Sequence, residues 1–484
     1  MGILGIALGL ALLMILSFRG WSILLLAPAA AMIAALFAGE PLLAHWTQTF
    51  MGGTAKFLAQ FYPLFLLGAL FGKLMDDSGS VSAIADFMTR RLGKQHAILA
   101  VVLAGALVTY GGVSLFVAFF VLAPMAQALF RAAAIPRRLM PATIMLGAST
   151  FTMSALPGTP SIQNAIPMPF FNTTPFAAPG IGIIASIIMF GFGLWWLNRA
   201  STAAHLAGEQ FGDGSPAKLD IIVNDQMLRE RATNAREFDP AELNHGCHGT
   251  TIPPINLALL PIIVVVTVNF LMSFVLLPRM DVSFLSQEKW GPTSLTEVGG
   301  VWAVVTALSA AIVVVILINR NRLLNLRATM DAGANASVLP ALSVASLVGF
   351  GAVIAAMPTF VIIRDWVLSI DGGPLVSLTA ATNVLAAITG SASGGLTIAL
   401  DALGSTFLSL AKEQGIDPSL LHRVAVIGAG TLDSLPHNGA IVTLLAVCQS
   451  THRESYFDMV MVGVVGAIIA LVVIIGLGSI FGSF

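Results

Sequence analysis

Ile135-Pro-Arg-Arg-Leu-Met-Pro-Ala-Thr-Ile-Met-Leu-Gly-Ala-Ser-Thr150 and Ile416-Asp-Pro-Ser-Leu-Leu-His-Arg-Val-Ala-Val-Ile-Gly-Ala-Gly-Thr431 align without a gap. Ile135, Leu139, Gly147, Ala148 and Thr150 recur as Ile416, Leu420, Gly428, Ala429 and Thr431. Just downstream, Leu156-Pro157 meets Leu435-Pro436. Upstream, Thr109-Tyr-Gly-Gly-Val-Ser114 corresponds to Thr389-Gly-Ser-Ala-Ser-Gly-Gly395. In both places the order is the same: a tract interrupted at glycine, an amphipathic connection, then a helix broken at proline. The order of features argues for an internal duplication more strongly than the identities do, because Gly, Ala and Leu are common throughout.

The solvent around this duplication follows from composition. Of 484 residues, 57% are AVILMFWYC and only 10% are Asp, Glu, Lys or Arg. A soluble chain carries about 25% charged residues to solvate its surface. Most of this chain therefore faces lipid. That excludes a cytosolic enzyme, a secreted disulfide scaffold and a disordered regulator. A net charge of -1 supplies no basic field, so nucleic acid is not an expected partner. Cys247 and Cys448 are too few and too far apart for a disulfide framework. Met1 to Phe18 is apolar from its start, with no basic n-region, and reads as a first membrane helix rather than a signal peptide.

A spanning helix needs about 20 mostly apolar residues. Clear spans are expected at Gly2–Phe18, Ser22–Ala38, Phe57–Met75, Phe176–Leu197, Ile255–Leu277, Glu297–Ile318, Gly333–Met357 and Phe457–Ile480. The tracts 97–163 and 374–449 are apolar but interrupted. Residues 198–251 hold five basic and eight acidic residues and read as a solvated linker. Basic residues gather on the cytoplasmic side. With Arg19 inside, Arg90, Arg91 and Lys94 also fall inside. Arg131, Arg137 and Arg138 join them only if 97–130 turns back at Gly111-Gly112, which makes it a hairpin. The alternative for Gly111-Gly112 is a packing notch between helices. The linker and Arg320, Arg322 and Arg327 then also lie inside, with most of the 23 basic residues.

The expected fold is an all-α polytopic membrane protein of two inverted repeats. Each has about five transmembrane helices, a re-entrant hairpin and a broken helix. The first repeat covers 1–197 (hairpin 97–130, broken helix 139–170). The second covers 255–484 (hairpin 374–410, broken helix 422–449), with a cytoplasmic linker at 198–254. An odd number of crossings per half inverts the second half, the arrangement that places broken helices at the midplane of secondary transporters.

Non-helical backbone at membrane depth survives only where it is buried in protein or lines a wet cavity. Four breaks qualify, and each pairs Gly or Pro with hydroxyl or amide side chains. They supply Thr109, Gly111, Gly112 and Ser114; Gly158, Thr159, Ser161, Gln163 and Asn164; Thr389, Gly390, Ser391, Ser393, Gly394 and Gly395; and Ser434 and Asn438. Free N–H groups at half-helix ends with neutral donors around them suit a small anion. None of the four contains Lys or Arg, so a carboxylate would be held by dipoles and hydroxyls. The opposing reading is proline kinks with back-bonded Ser and Thr.

Intramembrane ionisable residues are costly and are functional candidates by default. Asp433, before the last break, and His437, inside it, are the expected proton-coupling residues; a helix N-cap is the other reading of Asp433. Asp401 and Glu297 are weaker candidates, read as lying near span ends. Lys73, Asp76 and Asp77 read as a solvated boundary, Arg364-Asp365 as a surface pair, and Arg423 as a flank of the second hairpin. His245-Gly-Cys247-His248 offers at most three ligands, so no metal is expected. There is no Walker lysine motif and no Ser-His-Asp pattern, and no cofactor is implied.

Thr109-Tyr-Gly-Gly-Val-Ser-Leu-Phe-Val-Ala-Phe119, Ala155-Leu-Pro-Gly-Thr-Pro-Ser-Ile-Gln-Asn164 and Leu432-Asp-Ser-Leu-Pro-His-Asn-Gly439 resemble the gluconate–proton symporter family of permeases, within the wider ion-transporter superfamily. The resemblance covers the chain apart from the linker. It implies a bacterial inner-membrane carrier importing a sugar acid such as gluconate, or a short hydroxy acid, with protons. It also implies a homodimer with scaffold and transport domains. Gluconate members carry an acidic residue shortly after the aromatic that follows Gly112; here the stretch is Gly112-Val-Ser-Leu-Phe-Val-Ala118, which extends the expectation to a smaller monocarboxylate such as 3-hydroxybutyrate. Sodium coupling is the rival to proton coupling. An anion channel and an intramembrane enzyme are the remaining classes, and only a carrier exchanges labelled for unlabelled substrate.

Overall fold

A computed structural model describes residues 2–19, 21–212, 251–291, 293–436 and 438–484. All regular structure among them is helical, and eight helices are long and apolar enough to cross a membrane. His437, His245, Cys247 and His248 lie outside the described residues, as does most of the linker.

The first half runs α1 (Gly2–Phe18), α2 (Ile23–Ala38), α3 (Leu42–Asp77), α4 (Ser80–Leu92), α5 (Ala97–Tyr110), α6 (Leu115–Ala132), α7 (Met140–Ala148), α8 (Phe151–Ser154), α9 (Ile162–Ala165), α10 (Pro167–Phe171) and α11 (Pro179–Leu206). The second runs α12 (Ile255–Arg279), α13 (Leu295–Ile318), α14 (Leu326–Ala355), α15 (Phe360–Leu368), α16 (Gly373–Thr389), α17 (Ala392–Glu413), α18 (Pro418–Leu432), α19 (Gly439–Val447) and α20 (His452–Phe481). Each half thus presents two helices, a long helix, a short one, a helix pair turning at glycine, a broken helix and a last long helix.

The packing repeats as well. The two long helices α3 and α14 lie together at the centre, with α2 against α14 and α13 against α3. The pair α5–α6 receives α19 from the other half, and α17 receives α9 and α10 in exchange. Gly147 and Gly428, which align in the sequence, have the same task. A Cβ on Gly147 would lie 2.3 Å from the Val102 carbonyl oxygen of α5, and one on Gly428 2.5 Å from Thr382 Oγ1 of α16. Each lets the arm of a broken helix lie directly on its neighbouring helix, the use small residues have in membranes, where apolar burial alone does not drive association.

Several boundaries differ from those expected. The third span begins at Leu42, not Phe57: Gly52-Gly53 does not break it, because Gly53 faces α14, where a Cβ would lie 2.8 Å from Ala352 Cβ. α11 continues past Leu197, since Asn198 Nδ2 donates to the Leu194 carbonyl at 2.8 Å and Thr202 Oγ1 to that of Asn198 at 2.9 Å. The first arms of the two broken helices are enclosed rather than amphipathic. Every residue of α7 is buried, and most of α18 is, because helices of both halves enclose them.

Lys73, Asp76 and Asp77 do not form a solvated boundary. Lys73 and Asp77 are fully buried where α3 packs along α14. Lys73 Nζ lies 3.0 Å from Asp77 Oδ1 and 3.5 Å from Asp76 Oδ2, and Thr329 Oγ1 of α14 donates to Asp77 Oδ2 at 2.6 Å. A charge left unpaired by breaking such a buried pair costs about 3–5 kcal/mol, and the Thr329–Asp77 hydrogen bond ties the cluster on α3 to α14. Arg364 and Asp365 do pair at a surface, 3.0 Å apart.

Candidate functional site

A cavity of about 170 Å³ lies where three of the four breaks meet the central helices. Thr109 comes from the end of α5, Gly112 and Ser114 from the turn between α5 and α6, Ser161 from the break before α9, Gln163 from α9 itself, and Ser393 from the start of α17. Leu64, Phe65 and Gly68 of α3 form one wall, and Ser337, Pro340 and Val344 of α14 another. The first turn reaches this depth because Gly112 takes φ of +94°, which only glycine adopts freely, and because a Cβ there would strike Pro160 at 2.9 Å. Gly111, its neighbour, is a packing notch: a Cβ would meet Ile262 Cγ1 of α12 at 2.7 Å. Thr109 Oγ1 donates to the Gly105 carbonyl at 2.9 Å and Ser161 Oγ to the Met153 carbonyl at 2.8 Å, so these two hydroxyls present oxygens, beside Ser114, Gln163 and Ser393, to an otherwise apolar chamber of small-molecule size.

The other candidates support this chamber without lining it. Gly158, at φ +80°, donates its N–H to the Pro175 carbonyl at 2.8 Å, and its own carbonyl accepts from Asn269 Nδ2 at 3.0 Å. Thr159 is buried, and its Oγ1 accepts from Ser161 N at 3.4 Å. Tyr110 OH donates to the Pro157 carbonyl at 2.8 Å, tying the first turn to the first break. Around the second turn, Gly390 takes φ of +64°, and Ser391 caps α17 by accepting from Gly394 N at 3.2 Å. Gly395 lets α17 approach α16, since a Cβ would lie 2.3 Å from Ala386 N. Thr389 Oγ1 donates to the Leu385 carbonyl at 2.8 Å. Asn438 Nδ2 donates to the Gly390 carbonyl at 3.1 Å, so the second break is tied to the second turn as the first is to its own.

Asp433 sits at the C-terminal end of α18, accepting from Ser434 Oγ at 3.0 Å. It is not an N-cap: that role for α19 belongs to Asn438, whose Oδ1 accepts from Ala440 N at 2.6 Å and Ile441 N at 3.3 Å. Five residues separate a cap from Asp433, too far for its side chain to serve the same turn.

The residue that sequence reading misplaces is Arg423. It is not a solvated flank but is fully buried in α18. Its Nη2 and Nε donate to the Ala177 carbonyl at 2.8 and 3.2 Å, and its Nη1 to the Ser154 carbonyl and Asn164 Oδ1, both at 3.2 Å. Asn164 therefore turns away from the cavity. Its Nδ2 donates to the carbonyls of Thr159 at 3.0 Å and Pro175 at 2.9 Å. His422 joins the network, 3.2 Å from Asn164 Oδ1 and 2.6 Å from Thr173 Oγ1. None of the hydrogen-bond partners of Arg423 is a carboxylate, so a fixed positive charge stands behind the first break. The signal was present: His422-Arg423 is bracketed by Leu420-Leu421 and Val424-Ala-Val-Ile427, an apolar run with no place for a solvated arginine.

Known proteins bear on the family and on the fold. The profile of the GntP family permeases matches residues 1–200. The uncharacterized transporter YxjC of Bacillus subtilis (strain 168) is 37% identical over 488 residues, covering 98% of this chain and 99% of that protein. Among solved structures, MtrF of Neisseria gonorrhoeae superposes with a TM-score of 0.54 at 16% identity, over 92% of this chain and 86% of its own. The YdaH transporter of Alcanivorax borkumensis gives 0.53 at 15%, over 90% and 88%. At such identities the likeness concerns the fold alone. The relatives, the helices and the buried breaks describe a multi-pass membrane transporter, not an enzyme, and the chain belongs to the GntP family of permeases.

Proposed function

We propose that this permease imports a small organic acid anion, a sugar acid such as gluconate or a short hydroxy acid such as 3-hydroxybutyrate, together with protons across the bacterial inner membrane. The observation that carries the reading is the cavity itself: Thr109, Ser114, Ser161, Gln163 and Ser393 converge on it while Arg423 lies behind the break that forms one side. The neutral amide of Gln163 and the hydroxyl of Ser393 would grip a carboxylate lightly enough to release it, and a fixed cation held back from contact makes the site selective for anions. The two halves are read as inverted repeats, since their elements recur in order and exchange half-helices. On that reading the ends of α3 and α14 that carry Lys73 and Arg327 face the cytoplasm, with the linker 198–254, and both termini face outward. A homodimer is the expected assembly. Counterflow in proteoliposomes tests the reading, with the labelled acid chosen by its thermal stabilisation of the purified protein. Ser393→Ala should raise the apparent dissociation constant about tenfold or more, the loss of one hydrogen bond to a charged group. Unchanged affinity would place the anion elsewhere. For sidedness, a cysteine at 225, with Cys247 and Cys448 removed, should resist an impermeant maleimide applied from the periplasm; reaction there reverses the orientation.

Sodium is the rival coupling ion. The hydroxyls of Thr389, Ser391 and Ser393 lie together at the second turn, with Ser391 Oγ 3.3 Å from Ser393 Oγ, and oxygen-rich turns suit that ion. Accumulation driven by a sodium gradient at equal pH on both sides decides for it.

A further inference from the structure

A second cavity, of about 220 Å³, follows the first along the same three helices. On α3, Leu64 and Phe65 line the first cavity, and Lys56, Phe57, Gln60 and Phe61 the second. On α14, Val344 lines the first and Val348 the second; on α17, Ser393 lines the first and Thr397 and Asp401 the second. The two chambers are thus stacked, with the buried ring of Phe61 beside the partition.

Their chemistry differs. The substrate cavity is lined by neutral polar side chains. The second holds three charged side chains, Lys56 of α3, Asp401 of α17 and Glu297 of α13, and these are all the charged residues that line it. α14 and α10 contribute only Val348, Pro169 and Phe170. Lys56 and Glu297 are exposed, while Asp401 is half-buried in the middle of α17, not at a span end. Two carboxylates against one ammonium give a formal charge of -1, which repels a carboxylate substrate and favours a small cation. One face of α17 connects the chambers. Ser393, Thr397 and Asp401 are spaced by four residues and therefore stack on one side of the helix. Thr397 Oγ1 donates to the Ser393 carbonyl at 2.7 Å, and that serine lines the substrate cavity.

The geometry points to Asp401 as the residue that takes up the coupling proton from the solution to which the second cavity opens, the polar face of α17 leading from it to the substrate cavity. The inference rests on the proton-symport reading above. In the step itself the Asp401 carboxylate binds one H⁺ from bulk water to become a neutral carboxyl, then returns it to water on the other side; no electrons move. Lys56 and Glu297 line the same cavity and are exposed, whereas Asp401 is half-buried among them.

The test uses the full-length protein in proteoliposomes with a radiolabelled carboxylate that wild type exchanges, and pyranine inside to read pH. Asp401→Asn should keep equilibrium exchange within about twofold of wild type. It should lose accumulation under an inward pH gradient by at least about tenfold, and lose the substrate-driven internal acidification. Asp401→Glu should retain both, and Glu297→Gln should behave as wild type. Normal accumulation and acidification by Asp401→Asn would overturn the inference while leaving proton symport standing. Loss of exchange in both Asp401→Asn and Asp401→Glu would also overturn it, by making Asp401 part of the substrate site or the fold. Absence of proton-driven accumulation in wild type would refute proton symport itself, and this inference with it.

Discussion

Arg423→Met should weaken carboxylate binding by about ten- to a hundredfold, whereas Arg423→Lys should hold it within about threefold. The reasoning is electrostatic. Arg423 touches carbonyls and an amide rather than a carboxylate, so its charge is not cancelled locally. Two unit charges about 8 Å apart interact with about 2 kcal/mol at an effective dielectric constant of about 20, a factor of about thirty in affinity, which sets the scale of the expected loss. Lysine keeps that charge; methionine removes it. Both substitutions remove the fork that holds Ala177, Ser154 and Asn164, and each buried acceptor left without a donor costs about 1–3 kcal/mol. Both variants should therefore lose thermal stability, but only one should lose affinity. Isothermal titration and a melting curve on each separate the two effects. Equal affinity in Arg423→Met and Arg423→Lys would reduce the residue to a brace for the first break.

Lipid makes much of this fold readable. A backbone that has no water to bond with must be helical, so the spans announce themselves as apolar runs and the breaks as Gly, Pro and hydroxyl clusters within them. Thus the turn at Gly111-Gly112 and the break at Pro157-Gly158 stand out, and the alignment of Gly147 with Gly428 finds a packing role they share. What composition does not fix is the direction of a side chain. Asn164 lies in a break beside Gln163, yet it faces Arg423 and the carbonyls of Thr159 and Pro175 while Gln163 faces the cavity, because helix phase separates neighbours by about 100°. Charge near the end of an apolar tract is ordinarily solvated; that expectation fails for Lys73–Asp77 because α3 and α14 pack together all the way to that end. The run Ser393, Thr397, Asp401 was visible as a spacing of four. Its meaning was not, since the second cavity that Asp401 shares with Lys56 and Glu297 joins segments more than a hundred residues apart.

Asp433→Asn is expected to fold, bind the carboxylate and exchange it, yet fail to concentrate it against a gradient. Asparagine copies the shape and the neutral state of a protonated aspartate, so it holds one half of the transport cycle and cannot enter the other. Its neighbourhood permits the swap: Ser434 Oγ, which donates to Asp433 Oδ1, can donate equally to an amide oxygen, and the cap of α19 rests on Asn438. A structural role at the end of α18 would instead appear as a lower melting temperature with coupling intact. The residue lies where the second break is tied to the second turn through Asn438 and Gly390, so a proton there can bias how the two move together. Uphill uptake and equilibrium exchange measured on the one variant decide the matter, and the comparison with Asp401→Asn shows whether one carboxylate or both are needed. If both variants exchange but neither accumulates, both carboxylates are required for coupling. If Asp433→Asn accumulates normally while Asp401→Asn does not, a single carboxylate on α17 carries the coupling, and Asp433 only terminates its helix.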